Sequence, residues 1–163
     1  MADTVLVVAD LAPDLIEAGR TLLMKLDAKA VHFDAAFWLM DPKNGNWRLH
    51  LGVTAPPESG LGVFYERVDA VLSDMGLGSR FWIGIVTILR MESKIMQSLT
   101  SALGNAASVD GARLDNAVIG GMRFPACLLY RLSSKQQVGP GANNPAPSPR
   151  RRKSPKTAHS AAA

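Results

Sequence analysis

The chain has one cysteine among its 163 residues and lacks a long apolar run. Cys127 therefore cannot form an internal disulfide, and its neighbours Ala126 and Leu128 predict a buried, unreactive thiol. A reducing, cytoplasmic compartment fits this composition. The longest apolar stretch, residues 81–89, is under half of the roughly 20 residues that a membrane helix needs. We therefore expect no membrane association.

Common catalytic and metal-binding patterns are also missing. The three histidines form no His-x-x-x-His pair, and the chain contains neither a P-loop nor a Gly-x-Ser-x-Gly elbow. The N-terminus carries an early acidic residue and no Lys/Arg-rich stretch, so we expect no secretion signal. These absences predict no metal and no cofactor, and they favour a protein that is not an enzyme.

The net charge of +4 is distributed unevenly along the chain. Six of the 18 basic residues follow Ser133 with no acidic residue among them, which leaves 12 basic against 14 acidic residues before that point, a net charge of −2. Residues 134–163 are rich in Pro, Ala and Ser and contain no aromatic residue, so they cannot bury enough apolar surface to fold. We predict one globular domain over residues 1–133 and a disordered basic tail over residues 134–163.

The periodicity of the apolar residues indicates the elements of the body. It predicts helices over 12–27, 63–75 and 92–103, a hairpin over 30–40 and 47–53, a strand over 81–89, and a second hairpin over 112–119 and 123–132. Residues 4–9, rich in valine, read as a short strand or an apolar lead-in. The order αββαβαββ predicts an α/β (α+β) fold, in which about five strands form a mixed sheet packed by three helices, on one face or both.

Two details of the strands bear on the position of each one in the sheet. Residues 81–89 are apolar on both faces, which is typical of a central strand. Pro125 has no amide donor, so the last strand is expected to be an edge at that point.

His32 and Asp34 are the candidate catalytic pair. If Met40 pairs with Trp47 in the first hairpin, the side chains of His32 and Asp34 both point to the apolar face. There an imidazole and a carboxylate could meet and serve as a general base. A slip of one residue turns both side chains outward, and an aspartate at the solvated start of a strand is common. The sequence leaves both readings open and favours the second.

Phe33, Phe37 and Arg48 are the candidate protein contact. If the two phenylalanines are exposed beside Arg48, they form an adhesive patch for a partner protein, whereas a helix packed over them would make them core. His50, opposite Phe37 in the predicted register, reads as part of a solvated strand surface.

The tail contains the densest run of charge in the chain. It predicts weak, salt-sensitive and sequence-independent binding to nucleic acid or another polyanion through Arg150, Arg151, Arg152 and Lys153. The alternative is a tail that is only solvated. The sequence thus favours a non-catalytic protein-interaction module, which could also self-associate, with this tail attached. The alternative is a small hydrolase or nuclease that uses Asp34 and His32.

Overall fold

The computed structural model describes residues 10–77, 84–104 and 109–133. The described residues form three helices and five strands in the predicted order: α1 (Pro13–Ala28), β1 (Ala35–Met40), β2 (Trp47–Val53), α2 (Gly62–Asp74), β3 (Val86–Arg90), α3 (Lys94–Leu103), β4 (Arg113–Ile119) and β5 (Met122–Leu132). The segment 4–9, expected to be a short strand or an apolar lead-in, lies outside the described residues, as do the start of the predicted strand over 81–89 and the tail.

The five strands form one mixed sheet in the order β3-β2-β1-β5-β4. β2 and β3 are parallel, while β1–β2, β1–β5 and β4–β5 are antiparallel. The predicted register of the first hairpin is confirmed, since Met40 pairs with Trp47. The α+β class is confirmed as well.

Two tight turns close the hairpins. In the first, the Asp41 amide donates to the Asn46 carbonyl at 2.8 Å, and Gly45 has a φ of 70°. In the second, Gly120 and Gly121 have φ values of 57° and 77°, a backbone region that other residues rarely adopt. The glycines therefore fix where each strand turns back.

Helices cover both faces of the sheet. The first layer joins α1 and α2 to one face through the buried side chains Leu22, Leu26, Val68, Leu72, Trp38, Leu49, Leu51 and Tyr130. The second layer joins α3 to the other face through Met96, Leu99, Phe37, Phe124, Cys127 and Leu129. β1 alternates between the layers, so its residues are apolar on both sides.

Residues 81–89 were expected to form a central strand, but among the described strands β3 lies at the edge of the sheet. Its apolar character has another cause. Val86 and Ile88 pack in the first layer while Leu89 packs in the second, so the strand is covered by helices on both faces without a strand on its outer side among the described residues.

The last strand was expected to be an edge at Pro125, and this holds only for the side of β5 that faces β1. β5 lies between β1 and β4, and its pairing with β1 ends at Cys127 opposite Leu39, before the proline is reached. Pro125 thus lies where β1 no longer requires an amide donor.

The packing of α1 against the sheet depends on a close approach at Gly19. The Tyr130 hydroxyl donates to the Ile16 carbonyl at 2.5 Å and accepts the Trp38 indole N–H at 2.9 Å. A Cβ at Gly19 would lie 2.7 Å from this hydroxyl. Burial raises the pKa of Tyr130 to about 12, so the phenol keeps the proton that it donates.

Candidate functional site

His32 and Asp34 lie at the start of the sheet, close to each other and outside both apolar layers. Asp34 occupies a bend before β1 begins at Ala35, and this bend interrupts the strand alternation. Phe33 is therefore the residue that enters the apolar layer, while 58% of the His32 side chain is exposed. The catalytic reading, in which both side chains share the apolar face, is not what the structure shows. The bend at Asp34, and not a slip of register, keeps them off that face, in line with the reading that the sequence favoured.

The two side chains nevertheless come together. His32 Nε2 lies 3.9 Å from Asp34 Oδ1, and His32 Nδ1 lies 3.2 Å from Asp27 Oδ1, at the C-terminal end of α1. The Asp34 carboxylate also accepts the Thr54 amide at 3.2 Å, which ties it to the end of β2. The imidazole thus stands between two carboxylates.

Arg131 organises this cluster, which we call the His32 cluster (Asp27, His32, Asp34 and Arg131). Its guanidinium contacts both oxygens of Asp27 at 3.1 and 2.5 Å and donates to the Phe33 carbonyl at 3.1 Å. The hydrogen bond from Arg131 is the main reason that the pKa of Asp27 is lowered. Asp27 and Arg131 carry no signal in the sequence that would pair them, since only the fold brings positions 104 residues apart into contact.

The His32 cluster joins three segments: the end of α1, the entry to β1 and the end of β5. Asp27 is engaged by Arg131 and Asp34 by a backbone amide, which is the arrangement of a structural tie. A general base also needs a substrate held within hydrogen-bond reach, and the exposed imidazole faces solvent rather than apolar walls. The cluster therefore offers weak support for catalysis.

The predicted contact patch of Phe33, Phe37 and Arg48 is not formed. Phe33 and Phe37 are both 0% exposed and lie in different layers, because the bend at Asp34 places them on opposite faces of the sheet. Phe33 packs against Phe64 of α2 with ring centroids 5.8 Å apart. Arg48 is exposed whereas neither ring is, so the three side chains form no shared exposed surface.

His50 is more buried than a solvated strand surface implies. Its ring stacks on Phe37, with centroids 5.2 Å apart and parallel planes, and its Nδ1 lies 3.2 Å from the Arg48 carbonyl oxygen. Burial lowers the pKa of His50, so the imidazole is held in its neutral form. The predicted pairing of His50 with Phe37 is confirmed.

The remaining candidates, Arg150, Arg151, Arg152 and Lys153, lie outside the described residues. Within the described ranges, no three of the His, Cys, Asp and Glu side chains are grouped so that they could hold a metal ion. Nor does any helix in this part of the chain have the length and apolar character to cross a membrane.

The two edges of the sheet differ in a way that the sequence did not reveal. At the β3 edge, the Ile88 amide donates to the Tyr65 hydroxyl at 2.9 Å, so a side chain from α2 satisfies a backbone donor. Natural proteins commonly protect edge strands in this manner, because unpaired backbone groups attract other chains. The hydroxyl of Tyr65 thus partly closes this edge.

At the other edge, β4 pairs only with β5 among the described residues. Arg113 and Asp115 are exposed, lie on the same face of the strand, and make no hydrogen bond or ion pair with any described residue. Val118 is 69% exposed, one of the two large apolar side chains so exposed in the described part. The alternation of charged and apolar residues at 113–115 was the available signal, but the position of β4 at the edge was needed to interpret it.

Comparison of the chain with protein-family models, with curated proteins and with solved structures finds no match.

Proposed function

We propose that this protein is a non-catalytic protein-interaction module that accepts an extended segment of a partner at the outer edge of β4, with which no described residue pairs. The observation that carries the proposal is the difference between the two edges. Tyr65 satisfies an amide of β3, whereas no described residue pairs with the outer side of β4. An edge strand offers a row of backbone donors and acceptors, and strand addition is a recurring mode of peptide recognition.

The side chains along β4 support this function. Backbone pairing supplies affinity with little specificity, so a strand-binding edge needs side chains that recognise alternate positions of the partner. Arg113 and Asp115 provide one charge of each sign, and Val118 provides an apolar contact. A partner segment with an acidic and a basic residue two positions apart would match this pattern.

The test is a selection of random dodecapeptides, displayed on phage, against the immobilised full-length protein. Peptides with alternating apolar residues should be enriched, and their binding should weaken about tenfold when Arg113→Asp removes one charge contact and introduces a repulsive one. Arg67→Asp is the matched control, since Arg67 is exposed on α2, away from the edge. A selection that yields no binders, or binders equally tight to both variants, would contradict the proposal.

The alternative function is a small hydrolase or nuclease, which the 3.9 Å separation of His32 and Asp34 favours. It predicts a hydrolytic activity that Asp34→Asn abolishes while the melting temperature stays unchanged. Screens with nucleic acid and ester substrates would test it on the full-length protein.

The basic tail adds a second element to the proposed function. Arg150, Arg151, Arg152 and Lys153 would attract polyanions loosely, and a cytoplasmic location would suit the lone cysteine.

A further inference from the structure

We infer that the partner at the β4 edge is a second copy of this chain, paired antiparallel about a two-fold axis through Leu114. This inference rests on the proposed function and names its partner. A two-fold axis at Leu114 places Arg113 of one copy opposite Asp115 of the other, and the same contact occurs again on the other side of the axis.

Charge complementarity selects this register. Arg113 and Asp115 lie on one face, and both lack a partner among the described residues. An axis at Asn116 would instead place Asp115 opposite Ala117 and leave both charges unmatched. Since directly opposite charges stabilise strand pairs, the register centred on Leu114 satisfies all four charges of the two edges at once.

The backbone of β4 limits the length of this contact. Asn116 has a φ of 48°, outside the extended region, so a regular strand runs only through the first part of β4. Leu114 packs against the second layer and is only partly buried, which places an apolar side chain at the axis. A short pairing of this kind buries little surface, so the dimer should be weak and its population should depend on protein concentration.

A second possible occupant of the edge is the N-terminal segment of the same chain. Asp10 and Leu11 line a cavity of about 30 Å³ together with Arg113 and Asp115, so the chain enters the described region beside β4. The charges favour a second copy, because residues 1–9 contain one acidic residue, Asp3, and no basic residue to pair with Asp115.

Sedimentation equilibrium of the full-length protein over a wide concentration range tests the inference. The wild-type chain should form a reversible dimer, and Arg113→Asp or Asp115→Arg should each raise the dissociation constant about tenfold, because two attractive contacts become repulsive. The double variant Arg113→Asp/Asp115→Arg should restore dimerisation, which also shows that loss in the single variants is not misfolding. Arg67→Asp and Glu66→Arg, exposed on α2, should change nothing.

Three results would overturn the inference. One is a monomer at every concentration, and another is a dimer that the charge variants leave unchanged or that the double variant fails to restore. The third is a full-length monomer that dimerises only after residues 2–9 are deleted, which would assign the edge to the N-terminal segment. If selected peptides bind at β4 while the chain stays monomeric, the proposed function stands and only the second copy is wrong.

Discussion

Replacing Gly19 by alanine tests the close packing of α1 on the sheet. Glycine within a helix is ordinarily destabilising by about 1 kcal/mol relative to alanine, so the substitution would stabilise an open position. At Gly19 the new Cβ would lie 2.7 Å from the Tyr130 hydroxyl and 3.0 Å from Trp38 Nε1. Two hydrogen bonds hold that hydroxyl in place, so it cannot move without weakening them.

The expected net effect is a loss of stability. Overpacking a core costs about 1–3 kcal/mol, and a weakened hydrogen bond adds about 1 kcal/mol, against a helix gain of about 1 kcal/mol. The free energy of unfolding should therefore fall by about 1–3 kcal/mol, a decrease of several degrees in melting temperature. Urea unfolding followed by far-UV circular dichroism measures this change.

Two controls isolate the cause. Gly62→Ala, at the first residue of α2, meets no atom within 4 Å and should be neutral or stabilising by up to about 1 kcal/mol. In a Tyr130→Phe background the hydroxyl is absent, so Gly19→Ala should cost less there than in the wild type. A Gly19→Ala protein as stable as the wild type would refute the reasoning, as would a cost that Tyr130→Phe leaves unaltered.

Other predictions concern charge. Because burial lowers the folded-state pKa of His50, the unfolded chain binds the proton more readily, so stability should fall as the pH drops below about 6.5. In urea titrations at pH 7.5 and 5.5, this fall in the free energy of unfolding should be smaller for His50→Gln than for the wild type. Asp34→Asn keeps an oxygen for the Thr54 amide, so its melting temperature should change little, and a large loss would show that the carboxylate charge matters. Deleting residues 135–163 should leave the melting temperature within a few degrees and remove binding to random DNA at low salt, measured by fluorescence titration; retained binding would place the cationic surface on the body.

Local patterns predicted much of the fold. The helix α1 was expected to begin one residue before Pro13, and the predicted bounds of the first hairpin, 30–40 and 47–53, led to the register of β1 and β2. The position of each strand within the sheet was harder, because strand order depends on long-range packing. The apolar pattern of β3 reflects helices that cover both of its faces, not strands that pair with both of its sides.

The candidate site was less predictable for a related reason. A single bend at Asp34 reversed the faces that strict alternation had assigned to His32 and Phe33. Contacts such as Asp27 with Arg131, or Tyr65 with the Ile88 amide, join residues far apart in the chain and leave no local trace. Sequence patterns give the face of a side chain only where the strand is regular.

Because Cys127 is buried, alkylation of its thiol can be used to measure how often the folded protein opens. The thiol is 2% exposed, and burial raises its pKa to about 12, so alkylating reagents should not react with the folded chain at neutral pH. Its side chain packs in the second layer with Met96 and Leu99 of α3, so exposure requires α3 to leave that face of the sheet. When reclosing is faster than alkylation, the rate of labelling gives the equilibrium population of open molecules, without denaturant and without an engineered probe.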